Sequence, residues 1–209
     1  MKVAILGGTG SFGRALAARL VAAGGHEVVI GSRDAARAQA AAAELGGGTS
    51  GATNDDAVRR VELAVLAVKA EAALDTARDV AGALGATPLL SVASALTFAK
   101  DGVRPDPDAR SLAERIQDVV DAPVAAGLHS IAASNLGSEP ADEDVLVCGD
   151  DAAAKALALE LAGTVVAGRA LDAGPLANAR TLEGFTAVIV NLNRRYKAHA
   201  GVRISGFEP

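Results

Sequence analysis

The sequence of 209 residues has a single cysteine and no long apolar run, so it lacks the marks of disulfide-stabilised and membrane-spanning proteins. Cysteine occurs once, as Cys148 in the apolar run DVLVCG, which excludes an intramolecular disulfide and suits a reducing cytoplasm. No stretch approaches the roughly 18 uninterrupted apolar residues of a membrane span, because charges or glycines interrupt every apolar run. The first residues read as a strand and not as a signal peptide. We therefore expect a soluble, cytoplasmic protein with no membrane partner.

Positive charge is also scarce. Twenty lysines and arginines face 25 acidic residues, and the formal net charge is -5, so no basic surface for nucleic acid is expected. The chain has only three histidines, and no metal-binding residues are predicted. No arrangement typical of a catalytic nucleophile is visible either. Any anionic partner must be a small molecule that is bound locally.

Apolar, β-branched runs alternate with alanine-rich helical windows, which is typical of parallel strands connected by helices. Strands are predicted at residues 2–7, 26–32, 62–68, 87–93, 122–128 and 144–149, and helices at 11–23, 34–45, 70–84, 111–120, 152–162 and 176–199. The pattern predicts an α/β fold with a Rossmann-type doubly wound parallel sheet and a small C-terminal helical appendage. Residues 1–138 would form the Rossmann domain and residues 139–209 the smaller C-terminal unit. Asp150 and Asp151 are expected to cap the helix that follows them.

A glycine-rich loop follows the first predicted strand. In GGTGSFG, the spacing Gly8-x-Gly10-x-x-Gly13 places glycines where a strand turns directly into a helix. Such glycines permit a tight turn, a close backbone approach to a pyrophosphate and close packing of helix on strand. The helix N-terminus then offers N–H groups to the anion. In its strand–loop–helix context the motif predicts a dinucleotide site.

The end of the second strand indicates which dinucleotide is bound. About 20 residues beyond the glycines, where NAD-binding proteins carry a carboxylate, this chain has Ser32 and Arg33, and Arg37 lies one helical turn further on. A hydroxyl and two guanidinium groups suit a 2'-phosphate. Asp34 is expected to cap the second helix and to point away from the ligand. We predict NADP as the cofactor.

No local motif of the sequence identifies the reaction or the second substrate. Short-chain reductases use a tyrosine with a lysine four positions later, but the only tyrosine, Tyr196, has Ala200 at that place. Several longer segments nevertheless resemble one family, the NADPH-dependent F420 reductases, which pass a hydride between the deazaflavin coenzyme F420 and NADP. The resemblance is carried by GGTGSFG, GSRDAAR, LDTARD, GLHSIAA, VCGDD, LDAGPLANAR and NLNRRYKAHAGVRISGF, spread over nearly the whole chain.

This resemblance implies roles for individual residues. The residues that it places against NADP are Thr9, Gly10, Ser11, Phe12, Ser32, Arg33, Arg37, Val68 and Ala70. His129 would be the catalytic residue, hydrogen-bonding and polarising the deazaflavin, and the backbone of Ala133 would touch the same ring. Arg180, Thr186, Ala200, Gly201 and Val202 would complete the deazaflavin pocket, closed by the C-terminal unit. Coenzyme F420 would be the co-substrate, and a homodimer is expected.

Two points leave alternatives open. The chain has Gly48 and Gly184 where some relatives have serines, and Lys69-Ala70 where they have proline and tryptophan. The acceptor could therefore be another flavin, a small carbonyl compound or a metal chelate, or the protein could be a redox sensor that binds NADP without turnover. The basic residues Arg194, Arg195, Lys197, His199 and Arg203 could bind the anionic coenzyme tail or form a solvated helix end.

Overall fold

An eight-stranded β-sheet with helices on both faces runs through the computed structural model, which describes residues 1–137 and 139–206. The strands are β1 (Lys2–Leu6), β2 (Glu27–Ser32), β3 (Ser50–Thr53), β4 (Leu63–Leu66), β5 (Leu89–Ser91), β6 (Leu96–Ala99), β7 (Gly102–Pro105), β8 (Val124–Gly127), β9 (Val145–Gly149) and β10 (Ala170–Asp172). The helices are α1 (Ser11–Ala23), α2 (Ala35–Leu45), α3 (Asn54–Ala57), α4 (Ala70–Leu84), α5 (Leu112–Gln117), α6 (Ala152–Val165) and α7 (Ala179–Tyr196). Short 3₁₀ turns occupy Ala133–Asn135 and Leu176–Asn178.

The order of strands creates a crevice at one edge of the sheet. The sheet runs β10-β9-β8-β5-β4-β1-β2-β3, and every neighbouring pair is parallel except the antiparallel pair β8 and β9. From β1 the chain builds outward through β2 and β3, and it then crosses over to build β4, β5 and β8 on the other side. Ligands of such sheets bind beyond the carboxyl ends of the strands at this reversal, here between β1 and β4. The predicted Rossmann-type fold is confirmed.

The two faces of the sheet are covered by different helices. Along β1, Val3 and Ile5 pack in one apolar cluster with α1, α2 and α6, whereas Ala4 and Leu6 pack in a second cluster with α4 and α5. The period of two follows from the pleat, which points successive side chains to opposite faces. Both faces of the sheet are therefore buried under helices, and polar residues lie beyond the carboxyl ends of its strands.

Several elements were not predicted. The glycine-rich stretch GGGTSGATND carries no strand pattern, yet it forms β3 and α3. Strands β6 and β7 form a separate antiparallel hairpin. Its residues are largely exposed, so the sequence lacks the alternation of apolar residues that predicts a strand. Asn191 of α7 clasps this hairpin, because its side chain accepts from the Val103 N–H at 2.9 Å and donates to the Val103 carbonyl at 2.7 Å.

Residues 139–206 contribute strands to the common sheet as well as helices. β9 and β10 continue the sheet beyond β8, and α6, which runs three residues further than predicted, packs beside α1. The last predicted helix is divided into a 3₁₀ turn and α7, which ends at Tyr196 because Lys197 adopts a left-handed conformation with φ 51°. The division between residues 138 and 139 stays a prediction, and Ser138 lies outside the described residues. In the part of the chain that is described, no helix is long and apolar enough to cross a membrane.

Candidate active site

A cavity of about 550 Å³ lies beyond the carboxyl ends of β1, β2 and β4. It is lined by Gly7, Thr9, Gly10, Ser11, Phe12, Ser32, Arg33, Asp34, Arg37, Asn54, Ala67, Val68, Lys69, Ala72 and Thr76. The structure thus brings together all the residues predicted to bind NADP except Ala70, which begins α4 beside the cavity without lining it. The volume falls in the range of small-molecule and cofactor sites.

The glycine loop has the geometry of a phosphate cradle. Gly7 adopts φ 81°, and its N–H donates to the Gly31 carbonyl at 3.1 Å, which ties the loop to β2. A β-carbon on Gly13 would stand 2.6 Å from the Gly7 carbonyl oxygen, so only glycine permits this packing. Gly10 is the N-cap of α1, whose first N–H groups have no acceptor within the helix and therefore can bind an anion.

Ser32, Arg33 and Arg37 stand at the end of β2 around the same cavity. Asp34 caps α2 as predicted, accepting from the N–H groups of Ala36 at 2.9 Å and Arg37 at 3.3 Å. Asp34 also lines the cavity, with this carboxylate oxygen, Oδ1, engaged by the start of α2.

Asn54 and Thr76 are among the lining residues that the sequence did not predict. Asn54 follows β3, a strand that the sequence did not reveal, and its Oδ1 is buried without a hydrogen-bond partner in the described part of the chain. Lys69 and Thr76 belong to the start of α4 and its first turns. Lys69 lies between Val68 and Ala70, the residues that the resemblance places beside the cofactor, so its position agrees with that expectation.

His129, which follows β8, is joined to two hydroxyl side chains. Its Nδ1 lies 3.2 Å from Ser94 Oγ, and that oxygen lies 2.8 Å from Thr186 Oγ1. Thr186 Oγ1 in turn donates to the His129 carbonyl at 2.9 Å. Burial, which leaves His129 only 7% exposed, lowers its pKa to about 4, so the ring is neutral at physiological pH. Ser94 was not predicted, since one serine after a strand carries no sequence signal.

A second cavity of about 20 Å³ borders His129. Its other lining residues are Ser130, Leu146, Leu182, Phe185 and Val202. This space is about that of one water molecule. It cannot enclose a tricyclic ring, so a deazaflavin must lie at its mouth or displace the side chains around it.

The remaining residues predicted to contact the deazaflavin do not line a common cavity. Arg180 donates to the carbonyl of Asp106 at 3.0 Å, and Ala200 donates its N–H to Asn193 Oδ1 at 2.7 Å. Ala133 opens a 3₁₀ turn. Neither cavity is lined by Ala133, Arg180, Thr186, Ala200 or Gly201 among the described residues.

Buried carboxylates fix the segment that follows α7. Asp144, which is fully buried, accepts from Arg169 Nη2 at 2.6 Å and from the Ile204 N–H at 2.8 Å. The Arg169 hydrogen bond holds the pKa of Asp144 well below its usual range. Next to it, burial raises the pKa of Glu143, and a β-carbon on Gly201 would stand 2.7 Å from Glu143 Oε2. The turn bearing Val202 is therefore anchored beneath His129's cavity.

Side chains near the C-terminal strands have structural roles. Asp151 is the N-cap of α6, with its carboxylate accepting from the Ala154 N–H at 2.8 Å, as predicted. Asp150 does not cap that helix, because its carboxylate accepts from the Leu176 N–H at 2.9 Å instead. Cys148 is buried, and burial raises the pKa of its thiol to about 12.

Three residues of the basic C-terminal run already have partners within the chain. Arg194 lies over the Phe98 ring with 5.5 Å between its guanidinium carbon and the ring centroid. Arg203 pairs with Asp142, and His199 Nδ1 lies 3.0 Å from Ser134 Oγ.

The doubly wound sheet, the glycine cradle and the cavity at the strand reversal define a dinucleotide-binding protein of the Rossmann type. A family model described as NADP oxidoreductase, coenzyme F420-dependent, matches residues 2–95. An F420-dependent NADP reductase of Methanothermobacter marburgensis is 37% identical over 98% of this chain and 98% of its own length. That of Methanothermobacter thermautotrophicus is 38% identical over 98% of this chain and 95% of its own. The chain therefore belongs to the family of F420-dependent NADP reductases, and the predicted resemblance is confirmed.

A solved structure agrees with this assignment. A protein of Arthrobacter sp. FB24, provisionally described as an F420-dependent NADP-reductase, has a crystal structure that superposes with a TM-score of 0.84. It is 29% identical in sequence, and the match covers 99% of this chain and 100% of that one. The likeness thus extends over the sheet and α7.

Proposed function

We propose that the protein is an oxidoreductase that transfers a hydride between reduced coenzyme F420 and NADP. One observation carries the proposal: neighbouring parallel strands end at the same edge of the sheet in the order β2, β1, β4, β5 and β8. Arg33, the glycine loop, Val68, Ser94 and His129 therefore follow one another along this edge. A dinucleotide laid from Arg33 across the loop brings its nicotinamide to Val68, next to the strands that carry Ser94 and His129.

The residues of the large cavity fit NADP. The N–H groups from Thr9 to Phe12 would hold the pyrophosphate at the start of α1. Ser32, Arg33 and Arg37 would hold the 2'-phosphate by charge-assisted hydrogen bonds. Neither arginine forms an ion pair within residues 1–137 and 139–206, so both guanidinium groups can bind the phosphate.

The neighbourhood of His129 fits a polar ring. The buried Nε2 of His129 has no hydrogen-bond partner among the described residues, so a ligand that offers one gains a buried hydrogen bond. α7 and the turn at Val202 would close over this ligand, as the predicted role of the C-terminal unit requires. Arg180, Thr186, Ala200, Gly201 and the Ala133 backbone are proposed to complete the pocket when it opens around the coenzyme.

The chemistry of hydride donor and acceptor is supplied by the two coenzymes when they are bound. The residues of this chain bind the rings, orient them and exclude water, since hydride transfer needs the reacting carbons about 3 to 3.5 Å apart. Apolar side chains that suit this role line both cavities: Val68 in the large one, and Leu182 and Phe185 in the small one beside His129. His129 would fix the ring of the deazaflavin at its polar edge.

The test is a spectrophotometric assay with purified protein, oxidised F420 and NADPH. We expect the deazaflavin absorbance near its visible maximum to be lost, with NADPH preferred over NADH. No loss at high protein concentration would contradict the proposal. Turnover of free flavin or a ferric chelate, but not of F420, would establish the alternative reductase. Calorimetric NADPH binding without turnover of any acceptor would establish the redox sensor.

We also propose that the protein is a homodimer in solution. Phe185, Val188, Leu192 and Tyr196 follow one another along α7 at helical spacing, and all four are exposed, Tyr196 by 67%. A continuous apolar stripe of this kind is a common mark of an interface, and two-fold dimers are the commonest closed assembly. Leu192→Glu should convert the dimer to a monomer in sedimentation equilibrium, whereas Ala40→Glu on the exposed face of α2 should not. A monomeric wild type at micromolar concentration would contradict this.

A cytoplasmic location is proposed as well, supported by the single, buried and unpaired Cys148. Fractionation of the producing cells, with the protein followed by antibody, tests it. Recovery in an extracellular fraction would contradict it.

A further inference from the structure

Ser94, His129 and Thr186 form a hydrogen-bonded chain, called here the hydroxyl relay, in which the positions of the protons can be deduced. Ser94 follows β5, His129 follows β8, and Thr186 lies on α7, so the relay joins three elements at the active edge of the sheet. The carbonyl of His129 can only accept. Thr186 must therefore use its single hydroxyl proton in the 2.9 Å bond to that carbonyl.

The direction of the other two bonds follows from this first one. Since the proton of Thr186 is committed, Thr186 Oγ1 acts as the acceptor in its 2.8 Å contact with Ser94 Oγ. Ser94 therefore donates its single hydroxyl proton to Thr186 Oγ1. In the 3.2 Å contact between Ser94 Oγ and His129 Nδ1, the serine oxygen can then only accept, and Nδ1 must carry a proton.

The other ring nitrogen is left without a proton. Burial keeps His129 neutral, and a neutral imidazole that is protonated at Nδ1 has a lone pair at Nε2. Nε2 is buried and has no partner in the described part of the chain, and the side chain borders the small cavity at the active edge. The relay therefore presents to this cavity a hydrogen-bond acceptor and no donor.

We propose that Ser94 is a positioning residue that fixes the Nδ1–H tautomer of His129, so that Nε2 accepts a hydrogen bond from a ring N–H of the deazaflavin. The choice of ligand rests on the proposed function. A flavin-type dione ring has an N–H group flanked by carbonyl oxygens. The Nε2 lone pair attracts the N–H group and repels either carbonyl, so the tautomer selects one placement of the ring. Thr186 completes the relay from α7.

The tautomer can be measured without any coenzyme, by nitrogen-15 NMR of the histidine rings. Only His26, His129 and His199 contribute, and a His129→Asn variant assigns the signal. We expect the Nδ1–H form in the wild type. Thr186→Val removes the acceptor for the Ser94 proton, so Ser94 can donate to Nδ1 and the ring should change to the Nε2–H form. Ser94→Ala should give a mixture of the two forms, and Ser94→Thr should restore the wild-type signal.

Binding of F420 by fluorescence titration should follow the tautomer. Ser94→Ala and Thr186→Val should weaken F420 binding by about tenfold, the range of one buried hydrogen bond, with NADPH binding unchanged. Ser91→Ala, which removes a buried hydroxyl three residues earlier and outside the relay, is the matched control and should change neither signal. A Nε2–H ring in the wild type, or a tautomer indifferent to Ser94→Ala and Thr186→Val, would overturn the proposal. If the tautomers behave as expected but the wild type binds no F420, the proposed function fails and the assignment of Ser94 stands.

Discussion

The hydroxyl oxygen of Ser32 accepts the backbone N–H of Asp34 at 3.2 Å. This contact does not use the serine proton, so the hydroxyl keeps it for donation to a ligand in the cavity that Ser32 lines. Arg33 and Arg37 line the same cavity. The end of β2 therefore brings one hydroxyl and two guanidinium groups to the cavity.

Replacement of Arg33 should weaken the binding of NADPH more than the binding of NADH. Arg33→Ala removes a charge-assisted hydrogen bond, so NADPH binding should weaken by about 1.5 to 3 kcal/mol, while NADH binding changes little. Isothermal titration with both coenzymes measures this. Arg78→Ala, which removes an exposed arginine of α4 paired with Asp75, is the control. Equal losses for NADPH and NADH would contradict the assignment of the 2'-phosphate to Arg33.

Asn54 should contribute to binding of the adenosine half of NADP. Its buried Oδ1 lacks a partner among the described residues and borders the cavity beside Arg33's strand, where an N–H donor such as the adenine amino group would satisfy it. Asn54→Ala should weaken NADPH binding by about 1 kcal/mol. Asp55→Ala, next to it and exposed, should have no effect. The hypoxanthine analogue of NADPH, which lacks the amino group, should bind wild type and Asn54→Ala alike; a large difference between them would refute the adenine contact.

Two glycine substitutions should have opposite effects on stability. Gly13→Ala places a β-carbon 2.6 Å from the Gly7 carbonyl, so it should destabilise the fold by about 1 to 3 kcal/mol and abolish NADPH binding. Gly82→Ala, in the interior of α4 with open space around it, should stabilise by about 0.5 to 1 kcal/mol. Urea denaturation and NADPH titration of both variants test the pair. Retained binding in Gly13→Ala would show that the loop tolerates a wider separation of helix and strand.

Glu183 should make stability depend on pH. It is buried on α7, where its carboxylate accepts from the N–H groups of Leu112 at 2.9 Å and Ala113 at 3.0 Å, yet burial raises its pKa from 4.5 to about 6. Ionisation is therefore harder in the folded chain than in the unfolded one. The contribution of Glu183 to the free energy of unfolding should fall by about 2 kcal/mol as the pH rises from 4.5 through 6.

Comparison of wild type with Glu183→Gln isolates this effect, because the amide does not titrate. The difference in unfolding free energy between the two proteins should change across this pH window and be constant above about pH 7. A constant difference from pH 4 to 8 would show that the carboxylate titrates normally.

That the glycine loop and the end of β2 meet at one cavity was predictable, because the signals for it are local. Gly8, Gly10 and Gly13 stand within one turn, and Ser32 and Arg33 follow at a spacing that the strand–helix–strand unit imposes. The relay could not be predicted in this way. Ser94, His129 and Thr186 meet only after β5, β8 and α7 have packed, and no periodicity connects them.

The fold was predictable to a similar extent. Buried parallel strands such as β1 and β4 carry continuous apolar runs, and their existence followed from composition. β3 and the β6–β7 hairpin have exposed or glycine-rich residues, and they form because β2 and α7 supply hydrogen-bond partners. Such tertiary partners leave no mark in the local sequence.

The reversed direction of β9 and β10 has a practical consequence for work with this protein. Their carboxyl ends, at Gly149 and Asp172, lie at the edge of the sheet opposite the two cavities. A fluorophore or a surface tether attached to exposed Ala153, just beyond Gly149, would leave the coenzyme entrance unobstructed. Single-molecule or immobilised assays of hydride transfer can be built from that side.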